Sequence, residues 1–226
     1  GQGLTFLIIA LAAAEAAVSD RTRGLLPIHV FGRSCPMPAY LELAAKHDLV
    51  VIEDSCEALG TKLEGKMAGS FGHAGVFAFY PNKQITTGEG GVVVTDDGNV
   101  AEMLKSLRNQ GRGQDGSWLG HERLGWNYRI PDILCALGRV QLRRLESFVE
   151  ARSRVFELYR QALEGIDEIT LPAPAAANQR VSWFVYVIAL REGLGRERRD
   201  AVLEQLRERG VGCRNYFFPI HLQPFY

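Results

Sequence analysis

The chain has 226 residues, of which 46% are hydrophobic and 23% are charged. That balance is typical of a folded globular protein and excludes an intrinsically disordered chain. Its 26 basic and 26 acidic side chains cancel, so no field of one sign is available to attract nucleic acid, and we expect no nucleic-acid partner.

The first 20 residues are apolar and rich in small side chains. The run LTFLIIALAAA is too short to span a bilayer, and no basic segment precedes it as in a signal peptide. We therefore predict an internal strand and helix here, no membrane association and a cytoplasmic location. Because the chain starts without Met and stops on the apolar run HLQPFY, we expect both of its ends to be cut.

The next part of the chain has the pattern of a βαβ unit. Residues 24–31 form a short apolar run, which predicts a strand, and residues 37–47 have apolar side chains at helical spacing. Residues 49–54 (LVVIED) are a continuous β-branched run that ends in two acids. Such a run is typical of a buried parallel strand.

Two further strands and a helix follow. Residues 76–80 (VFAFY) and 90–97 (GGVVVTDD) are predicted strands. Asp96 or Asp97 can cap the helix that comes next, NVAEMLKSLRNQG, which ends at a glycine. Residues 112–126 are polar and rich in glycine, which predicts an exposed loop.

The rest of the chain predicts helices and short strands. A helical pattern runs from residue 131 to about residue 165, long enough to leave one domain and enter another. A strand is predicted at 181–190, a helix at 196–210 and a last strand at 211–217.

These elements predict an α/β fold with two domains. A large domain with a mainly parallel sheet occupies residues 1–130, and the helix over 131–165 connects it to a smaller α+β domain at 166–226. Ligands of such sheets bind beyond the carboxyl ends of the strands.

Two candidate residues follow strand ends. Asp54 ends one predicted strand, and Lys83 comes three residues after another. Alone, Asp54 could cap a turn and Lys83 could be an ordinary loop lysine. Together they match a pyridinium cofactor, which needs an acid at its ring nitrogen and a lysine for its aldehyde. A partly buried lysine amine also becomes a better nucleophile for carbonyls.

Other chemistries find little support. The GEGG turn at 88–91 is not a dinucleotide fingerprint, and no GxSxG elbow is present. The aromatic runs Trp183–Tyr186 and Tyr216–Phe218 are typical of a core. We predict no metal site, because five scattered histidines lack ligand spacing: His29, His47, His73, His121 and His221. Four widely spaced cysteines indicate reduced thiols: Cys35, Cys56, Cys135 and Cys213.

A long motif makes a family resemblance specific. The run VIEDSCEALGTKLEGKMAGSFGHAGVFAFYPNKQITTGEGGVVVTDD resembles the cofactor-binding part of the DegT-type (DegT/StrS) nucleotide-sugar aminotransferases. The resemblance continues in order through SLRNQG, LGWNYRIPDILCALGRVQL, SWFVYVIAL and GVGCRNYFFPIHLQPFY. It implies a pyridoxal 5'-phosphate (PLP) enzyme of fold type I, in which both domains are truncated.

The resemblance implies a role for each matching residue. Lys83 matches the lysine that holds PLP as a Schiff base and shuttles protons, and Asp54 matches the acid on the pyridine nitrogen. Glu57 stands where the family usually has Gln, beside the hydroxyl face of the ring. Asn127 matches an asparagine that reaches across a homodimer interface to the partner's phosphate. Each site would then need two subunits.

Two departures accompany the resemblance. Many relatives have a phosphate-binding Ser five residues before the lysine, where this chain has Ala78. Relatives also have roughly a hundred preceding residues, with a helix N-terminus that holds the phosphate and an aromatic that stacks on the ring. Without them we expect the chain to bind PLP weakly.

The resemblance also implies the reaction. Relatives with His in place of the lysine are dehydratases, so Lys83 predicts transamination from glutamate to a keto group on a nucleotide-linked sugar. The alternative is a non-catalytic or regulatory homologue that binds a sugar nucleotide or a partner protein. Retention of both Lys83 and Asp54 favours the enzyme, because binding alone requires neither.

Overall fold

The structure is a computed structural model that describes residues 5–113, 120–216 and 222–225. Within them the chain forms six α-helices, nine β-strands and one 3₁₀ helix at Val30–Gly32. The helices are α1 (Thr5–Ala17), α2 (Met37–Lys46), α3 (Gly98–Arg108), α4 (Asp132–Arg143), α5 (Leu145–Leu163) and α6 (Gly195–Glu208). The strands are β1 (Gly24–Leu25), β2 (Val50–Asp54), β3 (Lys62–Leu63), β4 (Lys66–Met67), β5 (Ala74–Ala78), β6 (Gly91–Val94), β7 (Ile169–Thr170), β8 (Gln179–Arg180) and β9 (Ala189–Leu190).

The main sheet has the order β1-β2-β5-β6. Strand β2 pairs in parallel with both β1 and β5, whereas β6 runs antiparallel to β5. The sheet is therefore mainly parallel, as the sequence predicts. Asp54 lies opposite Val76 in this register, at the carboxyl end of β2.

Helix α2 covers one face of the main sheet. Its residues Met37, Tyr40 and Ala44 pack with Leu49 and Val51 in the larger hydrophobic cluster. Prediction of a fully buried strand at 49–54 is only half right, because the exposed and buried residues of β2 alternate. The run is β-branched on both faces, so composition could not reveal which face α2 covers.

The strand predicted at 24–31 is largely wrong. Only Gly24–Leu25 forms a strand, because Pro27 has no N–H to donate to a ladder. The chain then turns into the 3₁₀ helix, in which Phe31 has a φ of 60°. This turn brings the Phe31 backbone next to the end of β2.

Helix α3 begins as predicted. The Asp97 side chain accepts hydrogen bonds from the N–H groups of Asn99 and Val100, at 2.7 and 3.4 Å. Two of the unpaired N–H groups of the first turn are therefore satisfied. Residues 114–119 of the predicted loop at 112–126 lie outside the described residues.

The single helix predicted over 131–165 is two helices. At Arg144 the backbone N–H bonds to the Gln141 carbonyl, three residues back, at 3.0 Å. A bond of this 3₁₀ type tightens the turn and separates α4 from α5. The apolar period continues through the break, so the sequence pattern did not reveal it.

Residues 181–190 do not form the predicted strand. Only Ala189–Leu190 pairs, with β7, whereas the backbone at 181–184 bonds to side chains and to a distant loop. The N–H of Ser182 donates to Thr61 Oγ1 at 3.0 Å, and the N–H of Phe184 donates to the Phe31 carbonyl at 3.2 Å. This apolar segment is therefore buried without belonging to a ladder.

The C-terminal part combines one confirmed helix with one incorrect strand. Helix α6 agrees with the helix predicted at 196–210. The strand predicted at 211–217 is absent over residues 211–216, which have no regular structure, and residue 217 lies outside the described residues. At the N-terminal end, the apolar segment predicted to hold a strand and a helix contains the helix α1. Among the helices that the structure describes, none has both the length and the apolar character needed to cross a bilayer.

Candidate active site

Asp54 is held at the carboxyl end of β2 by its own backbone. Its N–H donates to the Pro27 carbonyl, and its carbonyl accepts from the His29 N–H, each at 2.9 Å. The side chain turns toward the following loop, where Oδ1 accepts the Cys56 N–H at 3.0 Å. The Cys56 thiol also hydrogen-bonds to the Asp54 side chain, so the loop that follows β2 holds this carboxylate.

Lys83 lies in the turn after β5. Its backbone N–H donates to the Tyr80 carbonyl at 2.9 Å, and its side chain is only 15% exposed. The amine Nζ lies 3.6 Å from Oε1 of Glu57 and 4.6 Å from the centre of the Phe184 ring. Lys83 is therefore a partly buried amine beside a carboxylate, rather than a lysine extended into solvent.

Glu57 is the centre of this cluster. Its Oε2 accepts the Phe31 N–H at 2.9 Å, and its Oε1 accepts the Tyr216 hydroxyl at 2.9 Å. Gln84, next to Lys83, donates from Nε2 to the Glu57 carbonyl and to the Ser182 carbonyl. Three separate stretches of chain therefore fix Glu57.

Cys56 precedes Glu57 in the loop after β2, and its backbone N–H bonds to Asp54. Burial, followed by the hydrogen bond to Asp54 and the charge of that residue, raises the pKa of the Cys56 thiol to about 12. Lys83 lowers this pKa and Glu57 raises it. All three charged residues, Asp54, Glu57 and Lys83, therefore act on this one thiol, and Lys83 and Glu57 lie within ion-pair distance of each other.

Tyr216 is a site residue that the sequence did not identify. Instead of entering a hydrophobic core, it packs edge-on against Phe31 and Phe184, with ring centroids 5.4 and 6.3 Å apart. Burial, followed by the hydrogen bond to Glu57, raises the pKa of Tyr216 above its ordinary value. The contact joins residues 159 positions apart, so no local pattern could have indicated it. Phe217 and Phe218 of the same run lie outside the described residues.

The other aromatic run does form a core. Trp183 stacks on Phe156 with ring centroids 3.6 Å apart, and both rings are buried with Val181. Phe184 is buried too, but one face of its ring covers the Lys83 amine.

Asn127 is not part of the cluster in a single chain. It forms a β-bridge with Asn109 near the end of α3, its side chain is exposed, and its Oδ1 accepts from Arg129. Its predicted contact with a partner's phosphate stays a prediction.

His29 and Glu53 form a second buried pair, and Glu53 also holds the loop after β4 by hydrogen bonds. His29 Nδ1 accepts the Cys35 N–H at 3.0 Å, so Nε2 carries the proton and donates to Glu53 Oε2 at 2.9 Å. Glu53 also accepts the backbone N–H groups of Gly69, Phe71 and Gly72. His29 is therefore a core residue with both ring nitrogens in hydrogen bonds.

Outside the cluster, the described residues include further titratable side chains and thiols. Within the described ranges, no group of three His, Cys, Asp or Glu side chains is placed to hold a metal ion. All four cysteines are free thiols. A groove of about 970 Å³ between β6, α3 and the start of α4 is separate from the cluster, since Asp54, Glu57 and Lys83 do not line it.

Comparison with known proteins identifies the same group that the motifs resemble. The model of the DegT/DnrJ/EryC1/StrS aminotransferase family matches residues 4–226. GDP-perosamine synthase of Caulobacter vibrioides is 38% identical over 213 residues, which are 94% of this chain and 57% of that protein. The dTDP-3-amino-3,4,6-trideoxy-alpha-D-glucose transaminase of Streptomyces venezuelae is 36% identical, over 94% of this chain and 54% of that protein.

Solved structures agree with this result. The structure of S. venezuelae DesV in complex with a ketimine intermediate has a TM-score of 0.86 at 35% identity, covering 96% of this chain and 56% of that one. Helicobacter pylori PseC, an aminotransferase involved in the biosynthesis of pseudoaminic acid, has a TM-score of 0.90 at 28% identity, covering 96% and 58%. The chain therefore spans a little over half the length of these relatives. The likeness confirms the predicted α/β fold class, that of the fold type I PLP-dependent transferases.

Proposed function

Because the chain belongs to the DegT/DnrJ/EryC1/StrS aminotransferase family, we propose that it carries the lysine side of a PLP-dependent sugar aminotransferase site. The reaction moves an amino group from glutamate to a keto group on a nucleotide-linked sugar. The observation that carries this proposal is the placement of Lys83, a partly buried amine beside Glu57, which lies in the loop that follows Asp54.

The residues of the cluster suit PLP in two respects. Asp54 places a carboxylate at the carboxyl end of β2, and an acid in this place can pair with the pyridinium nitrogen. Lys83 has an amine that is mostly withdrawn from water but not enclosed. An amine in this setting can act as a nucleophile toward an aldehyde.

When bound, PLP supplies an aldehyde that exchanges amino groups and a ring that accepts electrons. Asp54 would hold a proton on the ring nitrogen and so keep the ring positively charged. Lys83 would hold the aldehyde and move protons with Nζ. The Phe184 ring shields that amine from water on one side, which strengthens the neighbouring charge interactions.

The phosphate needs residues beyond this cluster. Ala78 has no hydroxyl to donate, and Asn127 lies at the exposed loop beside Trp126 and Tyr128. We propose that Asn127 completes the site of a second subunit in a homodimer. Asn127→Ala should then weaken PLP retention while leaving the Lys83 amine as reactive as before.

The substrate class rests on the relatives. Their names include a GDP-perosamine synthase and a dTDP-linked sugar transaminase, so a nucleotide-linked sugar is the proposed acceptor and a polysaccharide or glycoside precursor the product. An enzyme that uses such soluble substrates fits a cytoplasmic location.

Covalent capture of the cofactor tests the proposal. The purified protein is incubated with PLP, treated with borohydride and digested, and the modified lysine is located by mass spectrometry. We expect a reduced phosphopyridoxyl group on Lys83, and its loss in Lys83→Arg. Lys105→Arg, at an exposed lysine, is the matched control and should leave the label unchanged. Label spread over surface lysines, with none at position 83, would contradict the proposal.

The same preparation discriminates the alternative, a non-catalytic homologue that binds a sugar nucleotide or a partner protein. Ala78 and the carboxylate at position 57 are the features that favour it. Glutamate added to the PLP-loaded protein should convert the cofactor to pyridoxamine phosphate and form 2-oxoglutarate. Cofactor that is bound at Lys83 but does not respond to glutamate would support the binding protein.

A further inference from the structure

One oxygen of Glu57 has two competing neighbours. Oε1 accepts the Tyr216 hydroxyl at 2.9 Å, whereas the Lys83 Nζ lies 3.6 Å from the same atom. The first distance is that of a hydrogen bond, and the second exceeds it. Since Oε2 already accepts the Phe31 N–H at 2.9 Å, both carboxylate oxygens have a donor other than Lys83.

The surroundings make this competition matter. Phe31 and Phe184 pack around the Tyr216 ring, and Phe184 also covers the Lys83 amine. Glu57 and Lys83 are 14% and 15% exposed. Charges that are shielded from water in this way interact more strongly than charges on an open surface.

The charged and titratable groups near Lys83 come from three segments. Asp54 ends β2, Cys56 and Glu57 belong to the loop that follows, and Tyr216 comes from the C-terminal segment. The Cys56 thiol stays protonated at neutral pH, because burial and Asp54 raise its pKa to about 12. Among the described residues, Glu57 is the carboxylate within ion-pair distance of the amine, and Asp54 precedes Glu57 by three residues in the chain.

We propose that Tyr216 is a positioning residue: its hydroxyl holds Oε1 of Glu57 and so prevents a close ion pair between Glu57 and Lys83. An amine must lose its proton before it attacks a carbonyl, and a close carboxylate favours the protonated form. By occupying the carboxylate, Tyr216 keeps Lys83 reactive. This inference rests on the proposed function of Lys83.

Reductive methylation of the cofactor-free protein tests it. Formaldehyde and a mild borane reductant modify only unprotonated amines, and mass spectrometry of the Lys83 peptide gives the extent of modification at each pH. Tyr216→Phe keeps the ring and removes the hydroxyl, so Glu57 can close on Lys83. We expect the midpoint of Lys83 methylation to move up by about half a pH unit or more, so that the rate at about pH 8 falls roughly threefold.

Two further variants separate this effect from a general structural one. Tyr186→Phe removes a tyrosine hydroxyl in the core around Phe156, and should leave the Lys83 midpoint unchanged. Glu57→Gln removes the charge, and should move the midpoint down. In the Glu57→Gln background, Tyr216→Phe should produce no upward shift, since the carboxylate that it releases is gone.

The pH midpoints of Lys83 methylation in these variants either support or overturn the proposed role of Tyr216. An unchanged or lower midpoint in Tyr216→Phe would overturn the proposal, as would an equal upward shift in the Glu57→Gln background. Circular dichroism and exposed lysines such as Lys105 show whether each variant is folded. Because methylation needs no PLP, the result is independent of the borohydride experiment, so the two proposals can fail separately.

Discussion

Nε2 of His29 and Oε2 of Glu53 meet at 2.9 Å, and neither side chain is accessible to solvent. The Glu53 carboxylate accepts three backbone N–H groups as well, from Gly69, Phe71 and Gly72. A carboxylate with four donors can remain ionised inside a protein. Glu53, the residue before Asp54, therefore links β2 to the loop after β4 and, through His29, to the turn before Cys35.

Replacement of this carboxylate should destabilise the fold. In Glu53→Gln the amide group must face N–H donors, which leaves at least one of them without an acceptor. We expect the free energy of unfolding to fall by about 1–3 kcal/mol, the cost of leaving a buried hydrogen-bond donor without an acceptor. Urea denaturation measures the loss. Lys46→Ala, at the exposed Lys46–Glu15 pair, is the control and should change the urea midpoint little. Similar small effects of both substitutions would contradict this role for Glu53.

The same residue predicts a dependence of stability on pH. Burial alone would raise the pKa of Glu53, but hydrogen bonds from His29, Gly72 and Gly69 outweigh it and hold the pKa below the ordinary value of 4.5. A group whose pKa is lowered by folding stabilises the protein above its unfolded pKa, and this contribution is lost as the pH falls through the folded pKa. The difference in urea midpoint between wild type and Glu53→Gln should therefore be constant near neutral pH and shrink in acid. A difference that grows on acidification would show that the sign is wrong.

Cys56 reports on the charge of Asp54. With a thiol pKa of about 12, Cys56 should react slowly with iodoacetamide near neutral pH, because little thiolate is present. Asp54→Asn keeps an oxygen for the Cys56 N–H but removes the negative charge. We expect alkylation of Cys56 to accelerate severalfold, as measured on the Cys56 peptide by mass spectrometry, while the exposed-loop control Asp96→Asn leaves it unchanged. A rate that does not respond to Asp54→Asn would separate Asp54 from the cluster.

Gly69 should tolerate no side chain. Its φ is +86°, and a Cβ there would lie 2.5 Å from the Phe77 ring and 2.9 Å from Ser55 Oγ. Gly65 has a similar φ of +81° but open space around it, so Gly65→Ala isolates the backbone cost, about 1–2 kcal/mol. Gly69→Ala should lose a further 1–3 kcal/mol or so from overpacking. Thermal or urea denaturation of the two variants compares them, and equal losses would mean that the loop moves away from Phe77.

Phe156 joins α5 to the segment at 181–184. Its ring is 3% exposed and stacks on Trp183, so Phe156→Ala should lower the free energy of unfolding by about 3–5 kcal/mol. Tyr159→Ala, on the same helix but 47% exposed, should cost clearly less. Chemical denaturation of both proteins checks the order, and a reversed order would remove Phe156 from the core.

Local signals in the sequence predicted much of the fold. The β-branched run at 49–54, the helical spacing at 37–47 and the Asp97 cap each depend on neighbours within a few residues, and each appears in the structure. Elements that depend on distant partners were missed. Residues 181–184 have the composition of a strand, yet their backbone bonds to Thr61 and Phe31 instead of another strand.

The residues of the candidate site also fall into those that local sequence predicts and those that depend on distant contacts. Asp54 and Lys83 follow strands, so strand order alone predicts that they approach one another, and Glu57 accompanies Asp54 along the chain. Tyr216 and Phe184 reach the cluster only through tertiary contacts, and nothing near them in the sequence distinguishes a ring beside Lys83 from a ring in a core. The role of Asn127 in a second subunit and the domain boundaries at 130 and 165 stay predictions.

The two hydrogen bonds of the Gln84 amide have a consequence for protein engineering. This one side chain fastens the turn of Lys83 to the carbonyls of Glu57 and Ser182, and Ser182 is 98 positions away. A hybrid enzyme with a splice point between α5 and β8 would pair the amide with a foreign carbonyl. A hybrid made from two relatives to exchange their substrate preferences should therefore take residues 57–87 and 179–184 from the same parent.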